Sequence, residues 1–133
     1  MCGIVGYQRF GNETNLVAGK DSLCHRGPDS SGQFKDGKMG VGLAHTRLSI
    51  LDLSSLGNQP MFDETKQVAL VFNGEIYNFK KLRGQLENEG CIFISNSDTE
   101  VLLKLYLSRG DKMLSSLEGI FTFAIWDKRN NEM

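Results

Sequence analysis

Glycine is the residue type that most constrains the fold of this chain: 15 of its 133 residues are glycine and only two are proline. Many of these glycines flank short runs of apolar residues instead of clustering into a flexible linker. Because glycine permits the backbone conformations of tight turns, this distribution predicts short strands joined by such turns. Neither an internal repeat nor a low-complexity segment interrupts the pattern.

The order of apolar patterns predicts strands near both ends of the chain and helices between them. The predicted strands lie at residues 2–7, 38–45, 47–53, 68–72 and 119–126. Helices are predicted at 14–24, 79–90 with Asn78 as its N-cap, 97–110 with a Ser97–Glu100 capping box, and 111–117. Residues 25–32 are interpreted as a loop and 73–75 as a turn. This order predicts an α+β protein with helices packed over sheet.

Composition excludes several classes of function. Apolar residues make up 40% of the chain, charged residues make up 23%, and the net charge is −1. This near-neutral balance gives no reason to expect binding to nucleic acid, and the sequence has neither a leader nor an apolar run that predicts a membrane segment. Three cysteines without C-x-x-C spacing argue against a disulfide framework and against a zinc site. We therefore expect a cytoplasmic location.

The chain begins Met1-Cys2-Gly3, so removal of the initiator methionine would make Cys2 the first residue. An N-terminal cysteine carries a nucleophilic thiol beside a free α-amine whose pKa lies near 8, and that amine can act as its base. The alternative is a small apolar side chain that enters a buried strand. Position alone does not decide between the two.

Other polar residues at the ends of apolar runs are candidates for a site, although each has a structural interpretation as well. Arg47 offers a planar guanidinium that can bind a carboxylate, or it forms a surface ion pair. Asn73 and Gly74 offer an amide and an unhindered N–H group for an oxyanion, or they form an ordinary turn. Asp98 and Glu75 can bind an ammonium group, and Asp98 can also cap a helix.

Taken together, these residues fall within segments by which the chain resembles the class II, N-terminal-nucleophile glutamine amidotransferases, and specifically the glutaminase domain of glutamine-hydrolysing asparagine synthetases. The segments are Met-Cys-Gly-Ile-Val-Gly at 1–6, Cys-His-Arg-Gly-Pro-Asp-Ser-Ser-Gly at 24–32, Ala-His-Thr-Arg-Leu-Ser-Ile-Leu-Asp at 44–52, Gln-Pro at 59–60, Asn-Gly-Glu-Ile-Tyr-Asn at 73–78, Ser-Asp-Thr-Glu-Val at 97–101 and Leu-Glu-Gly-Ile-Phe-Thr-Phe-Ala-Ile-Trp-Asp at 117–127. They cover essentially the whole chain in the order of the family.

The resemblance implies a role for each candidate residue. Cys2, once exposed, would attack the side-chain amide of L-glutamine, and Asn73 with Gly74 would form the oxyanion hole. Arg47 would bind the α-carboxylate of glutamine. The α-ammonium group would be bound by Glu75 and Asp98. The backbone that helps to line the pocket would belong to Leu48, Ser49, Ile50 and Leu51.

The resemblance also implies an Ntn-hydrolase-type four-layer α/β/β/α sandwich of antiparallel sheets, which we expect to be truncated at its C-terminus. Residues 1–133 would form the glutaminase domain, without the ATP-dependent synthetase domain that amidates aspartate. No cofactor is expected for glutamine hydrolysis, since ATP and Mg would serve only the synthetase. The expected partners are L-glutamine and a synthetase domain or subunit, with a homodimer left open. The alternatives are a non-catalytic fragment that keeps the fold, and an amidotransferase for a different carboxylate.

Overall fold

A computed structural model describes residues 1–50 and 52–133. It contains six strands and three α-helices within those ranges. The strands are β1 (Gly3–Gln8), β2 (Ser30–Asp36), β3 (Val41–Arg47), β4 (Met61–Phe62), β5 (Val68–Ile76) and β6 (Gly119–Asp127). The helices are α1 (Glu13–Ser22), α2 (Phe79–Asn88) and α3 (Asp98–Arg109), and short 3-10 turns lie at Cys24–Arg26, Ser55–Gly57 and Gly110–Ser116.

The strands form two antiparallel three-stranded sheets, with strand orders β1-β3-β2 and β4-β5-β6. In the first sheet Gly3 lies opposite Thr46, so the start of β1 and the end of β3 lie side by side at the same end of the sheet. In the second sheet β5 pairs with β6 along nine residues, whereas β4 reaches only Ala69 and Leu70 of β5. The edge of β5 beyond Leu70 is therefore left without a strand neighbour on the β4 side within the described ranges.

Two separate apolar cores place the sheets face to face between helices. Between the sheets lie the buried side chains of Val41 and Leu43 from β3 and of Ala69, Val71 and Trp126 from the second sheet. The other face of the second sheet packs on α2 and α3 through residues such as Leu70, Leu86 and Leu102. Helix α1 lies against β1 and β3. The predicted α+β fold with α/β/β/α layers is confirmed.

The start of α3 forms only one half of the predicted Ser97–Glu100 capping box. Ser97 accepts a hydrogen bond from the backbone N–H of Glu100 at 3.2 Å, as the predicted capping box requires. The reciprocal bond is not made, because the buried Glu100 carboxylate accepts from the N–H groups of Ile94 and Ser95 instead. Glu100 thus orders the loop before the helix, and Ser97 alone caps it.

The predicted strand at 47–53 is wrong beyond Arg47. The segment after Arg47 folds back, because its guanidinium donates to the backbone carbonyls of Asp52 and Ser54. Leu48 exchanges its backbone hydrogen bonds with the Cys2 thiol instead of with another strand. The apolar alternation there belongs to a loop.

Two further predictions of local structure are wrong for a tertiary reason. The Asn73-Gly74-Glu75 turn is in fact the last part of β5, which continues to Ile76 because β6 offers a full-length partner. The predicted loop at 25–32 contains the start of β2 at Ser30, which pairs with Arg47. No helix in the described ranges is long and apolar enough to span a membrane.

Candidate active site

A cavity of about 270 Å³ lies where β1 begins and β3 and β5 end. The antiparallel pairing of β1 with β3 brings the N-terminal residues beside Arg47, and β5 delivers its last residues to the same place. The start of α3 forms another wall. Eight residues predicted from the sequence line this cavity, namely Cys2, Arg47, Leu48, Ile50, Asn73, Gly74, Glu75 and Asp98.

Cys2 is a free, half-buried thiol held by the backbone that follows β3. The N–H of Leu48 donates to Sγ at 3.3 Å, and the thiol contacts the Leu48 carbonyl at 3.6 Å. Arg26 donates from Nε to the Cys2 carbonyl at 3.1 Å. The thiol therefore has a fixed position, with a backbone donor aimed at the sulfur. Met1 is largely exposed and also lines the cavity.

Arg47 is a buried cation that forms no ion pair in the part of the chain that the structure describes. Its side chain donates to the Ser54 carbonyl at 2.7 Å, to Asn58 Oδ1 at 2.8 Å and to the Asp52 carbonyl. All of these acceptors are neutral, and none of the ion pairs among the described residues includes Arg47. Because burying an unpaired charge is costly, its positive charge is available for an anion that enters the cavity.

Asn73 and Gly74 supply the type of donors that an oxyanion requires. The Asn73 amide oxygen is buried, and no residue in 1–50 or 52–133 donates to it. A buried polar atom without a partner is rare. This oxygen can only accept a hydrogen bond, so an oxyanion would have to be bound by the Nδ2 group of the same amide. Gly74 has a φ of +152°, and a Cβ atom there would lie 2.3 Å from the Ile120 carbonyl oxygen. Only glycine fits this position in β5, which brings the chain close to β6 beside the cavity.

Asp98 is a buried carboxylate at the start of α3, and it too forms no ion pair among the described residues. Its Oδ2 accepts from the N–H of Ile76 at 3.1 Å. Burial raises the pKa of Asp98, backbone N–H donors oppose the rise, and the nearby Glu75 carboxylate adds to it. A cation that neutralised this pair of carboxylates would be bound favourably.

The two remaining predicted residues are Ser49 and Leu51. Ser49 is not among the described residues that line this cavity, and its N–H donates to Asp29 Oδ2 at 2.7 Å. Leu51 lies outside the described residues. Gln59 and Thr99 also line the cavity, although the sequence did not single them out as site residues. Gln59 stands in the Gln-Pro segment at 59–60, so the resemblance contained a signal for it.

A family model described as "Glutamine amidotransferase domain" matches residues 1–133. The chain belongs to this glutamine amidotransferase family. It is 41% identical to "Asparagine synthetase [glutamine-hydrolyzing] 1" of Bacillus subtilis (strain 168), a match that covers 98% of this chain and 21% of that protein. It is 45% identical to the protein of the same name from Lotus japonicus, over 98% of this chain and 22% of that protein.

Two further similarities widen the comparison. "Amidase chry2" of Gibberella zeae is 42% identical over 91% of this chain and 17% of that protein. A solved structure of a glutamine phosphoribosylpyrophosphate amidotransferase from B. subtilis superposes with a TM-score of 0.73 and 26% identity, over 96% of this chain and 35% of that chain. The chain spans about a fifth of the length of the curated relatives named here. The resemblance inferred from the motifs is confirmed.

Proposed function

We propose that this chain hydrolyses L-glutamine to glutamate and ammonia through a thioester on Cys2. One observation carries the proposal: a single cavity holds a positioned thiol, an unpaired buried cation at Arg47 and an unpaired buried anion at Asp98. A free amino acid is a zwitterion, and it offers one charge of each sign to such a site. Membership of the glutamine amidotransferase family supports glutamine as the amino acid.

Recognition would use both ends of the amino acid. Arg47 would bind the α-carboxylate through a charge-assisted, bidentate hydrogen bond. Asp98 and Glu75 would bind the α-ammonium group. The backbone of residues 48–51 would help to line the pocket, and the lining by Leu48 and Ile50 supports this role.

The chemistry would begin after Met1 is removed and the α-amine of Cys2 is free. The neutral amine takes the thiol proton, and the sulfur attacks the side-chain amide carbon of glutamine. Donors from the Asn73 amide and the Gly74 N–H stabilise the oxyanion of the tetrahedral intermediate. The amine then returns the proton to the leaving nitrogen, and ammonia departs. Water hydrolyses the thioester to glutamate and restores the thiol.

The ammonia would pass to a synthetase domain or subunit of the same protein, as the names of the relatives suggest. The glutaminase step would use only groups of this chain, whereas ATP and Mg would serve the synthetase. Aspartate is the proposed acceptor. A second acceptor class stays open, because a protein named as an amidase is as similar to this chain as the asparagine synthetases are. We also propose a cytoplasmic location, which the free thiols support. Whether the chain forms a homodimer is decided by its mass in solution.

The test is glutamate release from L-glutamine by the wild-type chain and by Cys2→Ala. We expect Cys2→Ala to lose the activity, whereas Cys24→Ala and Cys91→Ala, which change the other two thiols, retain it. Intact mass should show that the active wild-type chain lacks Met1. Equal rates of glutamate release from wild type and Cys2→Ala would contradict the proposal. A wild type that lacks Met1 and binds glutamine without releasing glutamate would favour a non-catalytic domain instead.

A further inference from the structure

The peptide groups on either side of Phe72 are held by two buried side chains on the edge of β5 that β4 does not reach. The His45 ring contacts the Phe72 carbonyl through Nε2 at 3.1 Å, and the Phe72 N–H donates to Gln59 Oε1 at 2.6 Å. Because a carbonyl only accepts, His45 carries its proton on Nε2 and is the donor. Both side chains are more than nine-tenths buried. Together they take the place of a neighbouring strand at Phe72.

This arrangement lies directly beside the residues proposed to stabilise the oxyanion. Phe72 precedes Asn73 and Gly74 in β5, so the orientation of the Phe72 carbonyl sets the peptide plane that carries the Asn73 N–H. A shift of β5 at Phe72 would displace the donors that follow it. β6 supports these residues from one side only. The other side depends on His45 and Gln59.

Gln59 also connects two walls of the cavity. Its Nε2 donates to Thr99 Oγ1 at 3.3 Å, and Thr99 follows Asp98 at the start of α3. Asp98 in turn accepts from Ile76 N–H at the end of β5. A single amide side chain therefore joins the strand that carries the oxyanion donors to the helix that carries the ammonium ligand.

We propose that His45 and Gln59 are positioning residues that hold Asn73 and Gly74 in register for the tetrahedral intermediate. The inference rests on the proposed glutaminase function and adds two residues to it. Oxyanion donors act through preorganised geometry, and a displacement of about 1 Å can cost on the order of a hundredfold in rate. Their supporting hydrogen bonds therefore affect kcat more than they affect the binding of glutamine, whose charged groups contact Arg47 and Asp98.

The experiment compares variants that remove the hydrogen bonds with one that restores a bond. We expect His45→Leu and Gln59→Met to lower kcat for glutamine hydrolysis by about tenfold or more, with KM changed less than twofold. His45→Gln should recover most of the kcat, because its Nε2 can donate to the same carbonyl. Tyr106→Phe is the control, since it removes a side-chain hydrogen bond to Asp127 away from this cavity. We expect it to leave kcat unchanged.

The proposal is overturned if His45→Leu and Gln59→Met keep the wild-type kcat, or if His45→Gln is as slow as His45→Leu. If either removal variant does not fold, Thr99→Val takes its place, because it breaks only the link from Gln59 to α3 and nearly preserves shape. It should lower kcat severalfold with KM unchanged, and an unchanged kcat would count against the link.

A measurement that does not depend on catalysis, amide hydrogen exchange, tests this inference separately from the proposed function. We expect amide hydrogen exchange at Phe72 and Asn73, followed by NMR, to be at least tenfold faster in His45→Leu, with the rate at Trp126 in β6, which pairs with Ala69, unchanged. If the wild type proves inactive, the glutaminase proposal fails while this measurement still tests the support of β5. Unaltered exchange at both residues would overturn the positioning role.

Discussion

Two ends of the molecule bury charged side chains in opposite ways. At the end of β6 the Asp127 carboxylate is 1% exposed and fully matched: Arg129 donates to both of its oxygens, and Tyr106 donates to Oδ2 at 3.1 Å. At the cavity, Arg47 and Asp98 are buried almost as deeply, yet neither forms an ion pair within the described residues. A buried charge with an ion-pair partner is stabilised within the fold. A buried charge without one raises the free energy of the ligand-free protein, and a ligand of opposite charge would lower it.

The pKa values of the two carboxylates follow the same contrast. Hydrogen bonds from Arg129 hold the pKa of Asp127 below its usual range. Burial raises the pKa of Asp98, since no cation offsets the loss of water. In this fold, a functional carboxylate is therefore recognised by the absence of a neighbouring cation, and not by how deeply it is buried.

The largest expected effect is a difference in KM between the variants Arg47→Met and Arg129→Met. Arg47→Met removes the only charge proposed to bind the α-carboxylate, so KM for L-glutamine should rise about a hundredfold, or roughly 3 kcal/mol of binding free energy. Arg129→Met should leave KM unchanged and lower the melting temperature instead. Steady-state glutaminase assays together with thermal unfolding measure both. An equal rise of KM in Arg129→Met would break the contrast between the two ends.

A second effect follows from His45, which is buried in its neutral form between the sheets. Burial lowers the pKa of His45 from 6.5 to about 4, against the opposing hydrogen bond to Phe72. The unfolded chain binds this proton at a higher pH than the folded chain does. The stabilisation is therefore complete above pH 6.5 and is lost as the pH falls from 6.5 to 4. It amounts to about 3 kcal/mol.

Urea unfolding across that pH range tests the effect, with His45→Gln as the matched control because glutamine does not titrate. The difference in unfolding free energy between wild type and His45→Gln should change by about 3 kcal/mol between pH 7 and pH 4. A difference that is independent of pH would show that the pKa of His45 is the same in the folded and unfolded chains, which would contradict the prediction.

A third prediction compares the two carboxylates through the same substitution. Asp127→Asn leaves the Arg129 guanidinium without its anion and should lower the free energy of unfolding by about 2 kcal/mol. Asp98→Asn removes a desolvated charge while the amide oxygen still accepts from Ile76, so the stability should be equal or higher. The same variant should raise KM for glutamine at least tenfold, about 1.4 kcal/mol. A loss of stability in Asp98→Asn would sink the argument that its charge is unmatched.

The smallest predicted effect is that of Gly84→Ala, which is compared with Gly74→Ala. Gly74→Ala would force a Cβ against the Ile120 carbonyl and should cost about 1–3 kcal/mol of stability together with most of the activity. Gly84→Ala, in α2, meets no atom within 4 Å and should stabilise the protein by about 0.5–1 kcal/mol. Chemical denaturation of both variants provides the measurement. Equal effects in the two would mean that β5 and β6 relax apart at Gly74.

Much of the fold was predictable because apolar periodicity is a local property. The strands at 2–7 and 119–126 and the helices ending near Gly90 and Gly110 were found close to their observed bounds, and the strand at 68–72 was found at its observed start. The strand at 47–53 and the turn at 73–75 were not, because partners distant in sequence overrode the local pattern. Leu48 bonds to a thiol 46 residues away, and Gly74 pairs with Phe121.

The sequence by itself determined which reactive groups the chain carries: a cysteine beside the initiator methionine, one arginine, one amide–glycine pair and two carboxylates, in the order of a known family. Only the tertiary structure decided that Arg47 and Asp98 are buried without ion-pair partners among the described residues, and that His45 and Gln59 bond to either side of Phe72. The reason is physical. Residue types and local propensities follow from neighbours along the chain, whereas desolvation and hydrogen-bond satisfaction depend on which distant segments the fold brings together.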